Sequence, residues 1–413
     1  PLVMPAGLEY YVQDSTVKAL ITHLTADAVK DHLPQDLSLV RSSTILEMAS
    51  IGEPLDAPNS FANDELSSVF YTSGTTNQPK GVMLAPGNYF NHVEIFRRGC
   101  YQYSHLDNLL CFVPFSHGYG SKSIFLPALQ AGATMVIMRS FHPLRAVEII
   151  EQENISHLFG VPSHYQQLLR REEFFPSLKK LKAAFSAAAL LKVETSSSWK
   201  EKIGFYLDEG YGLIETSTGV AFRRDQMPRR RGHVGQYPAD LVDIEIVDDS
   251  MKILPAEKKG EIVVRGDSVM LGYLNKPEET ENALRDGWFR TGDMGYKTED
   301  NELVLTGRIK DVINVAGIKV APFEVEAVLN EHPAVNESAV IGIEDEMYGE
   351  VVHAFVKLNN TNSTDERDLV RYLQTKLMNF QAPRRIDFID AFPRNNMGKI
   401  DKNALKQTAF SET

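Results

Sequence analysis

The stretch YTSGTTNQPKG, Tyr71 to Gly81, sets three threonines, one serine, two glycines and a single lysine side by side. Glycines let backbone N–H groups come close to a ligand, hydroxyls add donors, and Lys80 supplies a positive charge. That combination suits phosphate oxygens. It is not the Walker pattern, because no G-x-x-x-x-G-K-[ST] can be read from it. The β-prone run Ser67–Tyr71 reads as a strand end and Asn88–Arg98 as a helix, which places the stretch on a loop between a strand and a helix. An ordinary polar loop has the same composition, so this stretch alone does not decide its own use.

Five further stretches carry residues that could do chemistry. They are PFSHGYGS (Pro114–Ser121), GYGLIETSTG (Gly210–Gly219), GWFRTGDMGY (Gly287–Tyr296), TGRIKDVINVAGIKVAPFEVE (Thr306–Glu326) and PRNNMGKIDK (Pro393–Lys402). Tyr211 is a flat ring beside glycines, and Glu215 is a hard oxygen donor of the kind Mg²⁺ prefers. Asp293 is a carboxylate acceptor and Arg308 a cationic donor. Each has a plainer reading: a strand-end Tyr in the core, a solvated Glu, a surface Asp/Arg pair, a His packed on the next helix.

The elements that must hold these residues follow from the apolar pattern. From residue 17 to about 206, strand-like runs (VKALIT, SSVFYT, LLCFVP, TMVIM, SHLFGV, LKAAFS) alternate with amphipathic stretches such as Pro143–Asn154 and Pro162–Arg171. This predicts parallel βαβ units. From about Gly232 to Thr306, short alternating strands such as LVDIEIVDD, GEIVVRG and ELVLTG predict antiparallel pairing. After the charged break at RIKD, a helix over Pro322–Glu331, strands SAVIGI and VVHAFVKL and a helix over Asp365–Asn379 predict a small α+β domain. The fold class expected is therefore α/β: a large N-terminal domain of βαβ units with a small antiparallel β region, then a smaller, mobile α+β C-terminal domain.

The six blocks, in this order, resemble the motif set of the adenylate-forming superfamily. That superfamily covers acyl- and aryl-CoA synthetases, adenylation domains of nonribosomal peptide synthetases and beetle luciferase, and the resemblance runs from about Leu66 to the end. It implies a two-step reaction. A carboxylic acid attacks the α-phosphate of ATP to give an acyl-adenylate and pyrophosphate, and a thiol then displaces AMP. It also implies a large domain over residues 1–309 and a mobile domain over 310–413, hinged near Lys310.

The resemblance carries roles onto matching positions. Thr72, Ser73, Gly74, Thr75, Thr76 and Lys80 would hold the β- and γ-phosphates of ATP. Tyr211 would stack on adenine, with Gly212 and Ile214 beside the nucleotide, and Asp293 and Arg308 would hold the ribose. Glu215 would place Mg²⁺. Lys399 would bridge the attacking carboxylate and the α-phosphate, where a cation lowers the barrier directly. Gly317 would line the pantetheine tunnel, and rotation about Lys310 would exchange it for Lys399. His117, Gly118, Ala187, Ala188 and Gly212 would line the acid pocket, with His117 orienting the carboxylate or gating its entry. PFSHGYGS holds no Asp to pair with an α-ammonium, so an acid without an α-amino group is expected: a fatty or aryl acid. Lys122 reads as part of a solvated helix face; pointing inward, it would meet a second acidic group.

The sequence departs from the family pattern at four places. Asn77 stands where Gly is usual, and Ile214 replaces a Thr whose hydroxyl commonly meets the α-phosphate. SAAAL (Ser186–Leu190) replaces a Gly-rich segment. Only about 70 residues precede the phosphate loop, so an N-terminal subdomain is expected to be shortened or absent.

Bulk properties narrow the class. The 413 residues carry a net charge of −12, which argues against a nucleic-acid-binding surface. Two cysteines, Cys100 and Cys111, exclude a disulfide scaffold, read as packing residues and suit a reducing compartment. No run of 18 apolar residues and no signal peptide can be read, so neither a membrane span nor export is indicated and a cytoplasmic protein is expected; the resemblance to acyl-CoA synthetases implies a place in fatty acid metabolism. The thiol acceptor is CoA or, alternatively, the phosphopantetheine of a separate carrier protein. A non-catalytic nucleotide- or acyl-binding relative and a luciferase-like oxygenase are the competing classes.

Overall fold

The computed structural model describes residues 5–22, 29, 33, 34, 37–44, 62–72, 79–189, 191–359, 364–394 and 400–411. The chain divides into two units, one of Pro1–Gly87 with Met270–Asn282, the other of Asn88–Val269 with Ala283–Thr413.

In the first unit, strand Ala19–Thr22 pairs parallel with Ser38–Arg41. A three-stranded antiparallel sheet runs in the order Gly272–Tyr273, Lys80–Leu84, Ser68–Thr72. This corrects two expectations. SSVFYT does not belong to a βαβ unit, and residues 73–78 connect two paired strands, not a strand and a helix. Val82 and Leu84 are fully buried, so their apolar run forms a second strand with Thr72 opposite Lys80. Gly81 is needed there, since a Cβ on it would lie 2.8 Å from Val69 Cγ1.

The second unit holds the predicted parallel sheet. Its strand order is Thr218–Arg223, Asp208–Leu213, Ala183–Ser186, His157–Gly160, Asn108–Cys111, Thr134–Ile137. The last five are parallel and the first is an antiparallel edge. The strands are short, and the central ones, His157–Gly160 and Ala183–Ser186, are largely buried, as expected where helices such as Pro143–Gln152 and Val193–Ile203 form the crossovers, while the edge strand Thr134–Ile137 is partly exposed. Cys100 and Cys111 are free and fully buried, in the packing role predicted. A second sheet is antiparallel, in the order His233–Gly235, Leu303–Arg308, Trp288–Lys297, Gly260–Arg265, Asp243–Val247.

Residues beyond 310 build a third sheet from Ile318–Val320, Ile313–Val315, Gly349–Leu358 and Val335–Asp345, with Arg385–Phe388 parallel to Gly349–Leu358. Helix Pro322–Glu331 has the predicted bounds and buries Val325 and Leu329 against Ile313, Val340 and Leu369. It also meets the preceding part of the unit. Arg231 donates to the Phe323 carbonyl at 3.2 Å with its guanidinium 4.6 Å from the Phe323 ring centroid, and Lys192 donates to the Asn336 carbonyl at 2.6 Å.

Candidate active site

Three residues from three motifs meet. Tyr211 lies mid-strand in Asp208–Leu213, buried, and its hydroxyl donates to Asp293 Oδ2 at 2.8 Å. Arg308 Nε lies 2.8 Å from Asp293 Oδ1, across the strand pair in which these two residues are direct partners. The Asp293 side chain is only 8% exposed and that of Arg308 is 46% exposed, so the carboxylate is fixed while the guanidinium keeps an open side. Burial, and then the Asp293 charge, keep the Tyr211 phenol well above its ordinary pKa, so it stays a donor. The RTGD turn is itself braced. Gly292 takes φ +70°, the Thr291 hydroxyl accepts from Asp293 N at 3.0 Å, and Glu261 accepts from Gly292 N and from Arg290.

Glu215 is buried on a single 3-10 turn, Ile214–Thr216, that follows the same strand as Tyr211. Thr216 does not supply the hydroxyl that Ile214 lacks: it is buried and closes the turn, accepting from Leu213 N and lying 2.8 Å from the Thr218 carbonyl. The chain then reverses through Ser217 and Thr218 at φ 57° and 106°. A β-branched residue at positive φ is strained by about 1–3 kcal/mol. Buried partners hold it: Thr218 Oγ1 lies 2.7 Å from Ser123 Oγ and 2.9 Å from His92 Nε2. Gly212 is obligatory, because a Cβ there would fall 1.6 Å from the Thr218 carbonyl oxygen.

His117 precedes a π-helix, Tyr119–Phe125, and its Nδ1 accepts the Tyr119 N–H at 3.1 Å. Gly118 is buried against Thr218, Ile214 and Lys122. Lys122 corrects the sequence reading: it is 1% exposed, not on a solvated face. Wider π-helical winding and the buried position of this helix turn it inward. Burial pulls its ammonium down to about 7, with Glu215 opposing the shift. Ala187 and Ala188 are half-buried at the end of strand Ala183–Ser186, and Ala188 takes φ +65°, a glycine conformation.

Thr72 and Lys80 belong to the first unit, where Lys80 Nζ lies 5.0 Å from the Tyr273 ring centroid. Ser73, Gly74, Thr75, Thr76, Asn77 and Lys399 lie outside the described residues. Lys310 is exposed on a 3-10 turn, Ile309–Asp311. Gly317 and Ala316, at φ 85° and 51°, form the two-residue turn between Ile313–Val315 and Ile318–Val320, and a Cβ on Gly317 would meet nothing within 4 Å. The turn conformation thus accounts for this glycine without a tunnel wall. His92, Ser123, Thr218, Thr291 and Glu261 were not singled out from sequence; only the reversed TST after Glu215 carried any local hint of them.

Mg²⁺ keeps few protein ligands when it is bound with phosphates, commonly one or two carboxylates. Among the described residues no group of three or more His, Cys, Asp or Glu forms a metal cage, and Glu215 is a buried carboxylate that fits the sparser pattern.

The parallel sheet carrying Tyr211 and Glu215, and the antiparallel sheet returning Asp293 and Arg308 to it, define an adenylate-forming enzyme. The chain belongs to the AMP-binding enzyme family: that family's model matches residues 1–274, and the model of the AMP-binding enzyme C-terminal domain matches 324–399. A long-chain-fatty-acid–CoA ligase of Bacillus subtilis is 31% identical over 98% of this chain and 79% of its own length. A 4-chlorobenzoate–CoA ligase of Arthrobacter is 34% identical over 82% of this chain, which spans 65% of that protein. The ATP-bound crystal structure of MatB from Rhodopseudomonas palustris superposes with a TM-score of 0.92 at 28% identity, over 98% of this chain and 82% of that one. The expected fold class and the expected enzyme class, acid–thiol ligase, both agree with these relatives.

Proposed function

We propose that this chain activates a carboxylic acid without an α-amino group, fatty or aryl, as acyl-AMP with release of pyrophosphate, and then transfers the acyl group to CoA. The observation that carries the reading is the Tyr211–Asp293–Arg308 constellation, a fixed carboxylate and a half-open guanidinium beside a buried ring. Asp293 keeps lone pairs for a ribose diol after accepting from Tyr211 and Arg308. Thr72, Ser73, Thr75, Thr76 and Lys80 would orient the leaving pyrophosphate, where charge develops. Glu215 would hold Mg²⁺, which when bound supplies charge neutralisation on the phosphates. His117 would orient the acid's carboxylate or gate its entry, and Lys399 would bridge that carboxylate to the α-phosphate. Residues 115–118 supply no carboxylate for an ammonium, which supports the exclusion of amino acids.

In this reading the functional domains would be 1–309 and 310–413, although the contacts group 310–413 with Asn88–Val269, and Lys310 would be the hinge about which Lys399 and Gly317 alternate. Two buried free thiols suit a reducing, cytoplasmic setting, and no helix among the described residues is long and apolar enough to cross a membrane. ATP–pyrophosphate exchange across a panel of carboxylic acids tests the first step. Thioester formation with CoA against a phosphopantetheinyl carrier protein tests the second. A non-catalytic relative is the second reading, favoured by Ile214 in place of a donor; binding of ATP with no exchange for any acid would establish it.

A further inference from the structure

Thr72 and Lys80 are direct partners, and among the described residues they form the last rung of the ladder between Ser68–Thr72 and Lys80–Leu84. The third strand of that sheet gives this end little support: Tyr273 pairs with Val82, and its neighbour Leu274 reaches only the Gly81 carbonyl, to which its N–H donates at 2.8 Å. Support comes from helix Pro5–Ser15 of the same unit. The Tyr10 hydroxyl donates to the Pro79 carbonyl at 2.6 Å, and Asp14 Oδ2 accepts from the Tyr71 hydroxyl at 2.6 Å. Tyr10 and Asp14 stand four residues apart and so share one helix face, a turn from each other. That face therefore ties down the residue before Lys80 and the residue before Thr72. The ties are themselves braced: the Asp14 carbonyl accepts from Asn275 Nδ2 at 2.6 Å, and the Tyr11 and Tyr71 rings meet edge to face with centroids 4.8 Å apart. Burial, and then Asp14, keep the Tyr71 phenol well above its ordinary pKa, so it remains a donor. Packing of this helix is served by its buried Val12 and its rings, and apolar contact has no direction. The two hydroxyl bonds add what packing lacks, a fixed position for each end of the hairpin.

We propose that Tyr10 and Asp14 are positioning residues for ATP: they hold Thr72 and Lys80 at a set separation and direction, ready for the β- and γ-phosphates. This rests on the ligase reading, which gives Thr72 and Lys80 that task. Donors aimed in advance at developing charge cost no reorganisation as pyrophosphate leaves, whereas donors on a loosely held hairpin end must first be ordered. Tyr10 and Asp14 touch neither nucleotide nor acid in this assignment and act only through Tyr71 and Pro79. Their effect is confined to the step in which pyrophosphate takes part, because an acyl-adenylate carries the α-phosphate alone.

The test is ATP–pyrophosphate exchange with an acid that the wild type accepts, beside thioester formation with CoA from supplied acyl-adenylate, for Tyr10→Phe, Asp14→Ala and Asp14→Asn. Tyr10→Phe loses one neutral hydrogen bond and is expected to raise the KM for ATP and for pyrophosphate by about three- to tenfold. Asp14→Ala loses a charge-assisted one and is expected to raise both by at least about tenfold. The KM for the acid and the rate of the thioester step are expected to change by no more than about twofold in either variant. Asp14→Asn keeps an acceptor for Tyr71 and is expected to stay within about threefold of the wild type. Equal losses in the two half-reactions overturn the proposal, because they mark the helix as a general support of the fold. Asp14→Asn as damaged as Asp14→Ala also overturns it. Should Asp14→Ala fail to fold, Tyr10→Phe decides, since it keeps the ring and loses one hydroxyl. Exchange by the wild type with unmoved KM values for ATP and pyrophosphate in the variants overturns this inference alone. No exchange by the wild type with any acid, despite ATP binding, overturns the ligase reading and this inference with it.

Discussion

The Tyr211 hydroxyl donates to Asp293 Oδ2 at 2.8 Å, tying the edge region of the parallel sheet to the antiparallel sheet. Asp293 anchors both Tyr211 and Arg308, and in the proposed function the same carboxylate would also hold the ribose. Asp293→Ala is expected to raise the KM for ATP by about 10–100-fold, the loss of one or two charge-assisted hydrogen bonds, and to reduce the preference for ATP over dATP. Tyr211→Phe removes a donor but not the carboxylate, so it is expected to raise KM by less than about tenfold. Steady-state kinetics with both nucleotides check this; an unchanged ATP/dATP ratio in Asp293→Ala would take Asp293 out of the ribose site.

The two half-reactions are expected to separate Lys399 from Gly317. Lys399→Ala is expected to slow acyl-adenylate formation by at least about 100-fold and to leave thioester formation from supplied acyl-adenylate nearly intact. Gly317→Leu is expected to do the reverse. Because Gly317 sits at φ 85°, the same variant should also lose about 1–2 kcal/mol of stability. Equal damage to both half-reactions in both variants would sink the alternation.

Arg231 holds helix Pro322–Glu331 by a hydrogen bond to the Phe323 carbonyl and by stacking on its ring. If this contact belongs to only one arrangement of a mobile C-terminal domain, Arg231→Met should shift the balance between arrangements by about tenfold, the worth of one charge-assisted hydrogen bond. The expected readout is a changed ratio of the two half-reaction rates with an unchanged thermal midpoint. A ratio equal to that of the wild type would show that the contact does not gate the cycle.

Ala188 takes a left-handed backbone at φ 65°, where its Cβ is unfavourable. Ala188→Gly relieves that strain but frees the unfolded chain, and the first effect is larger where φ is positive. A gain of about 1 kcal/mol, or roughly 2 °C in thermal midpoint, is expected. Thermal denaturation of the two proteins side by side measures it, and a lower midpoint for the glycine variant would contradict the strain argument.

Glu209 lies opposite Arg223 in the strand pair, and burial raises its carboxyl to about 8 against the pull of Arg229 and Arg223. The folded protein thus holds a proton that the unfolded chain releases near 4.5, and this contribution to stability is lost as pH rises from about 4.5 to about 8. Glu209→Gln has no such proton. Its stability relative to the wild type should grow by up to about 1.4 kcal/mol per pH unit across that window and level off above it. Denaturant melts at several pH values give the difference directly; a difference independent of pH would mean that Glu209 titrates normally.

Local pattern was sufficient for much of this protein. Apolar runs bounded by turns mark the buried parallel strands, and helix Pro322–Glu331 is delimited by a proline at its start and by its own 3.6-residue periodicity, so its bounds were legible without a partner. The order of six short motifs identified the family, because each is contiguous in the chain and can be read without knowing its tertiary partners. The hairpin at Thr72 and Lys80 was missed because Lys80–Leu84 is short and its burial comes from packing. What only the tertiary structure decided are contacts between residues far apart in the chain: Tyr211 with Asp293, 82 residues away, and His92 with Thr218, 126 away. Lys122 shows the physical reason most plainly. A lysine's side chain is amphipathic, so its sequence neighbourhood is compatible with solvent or interior, and only the packing of a π-helix against two other elements determines which way it points.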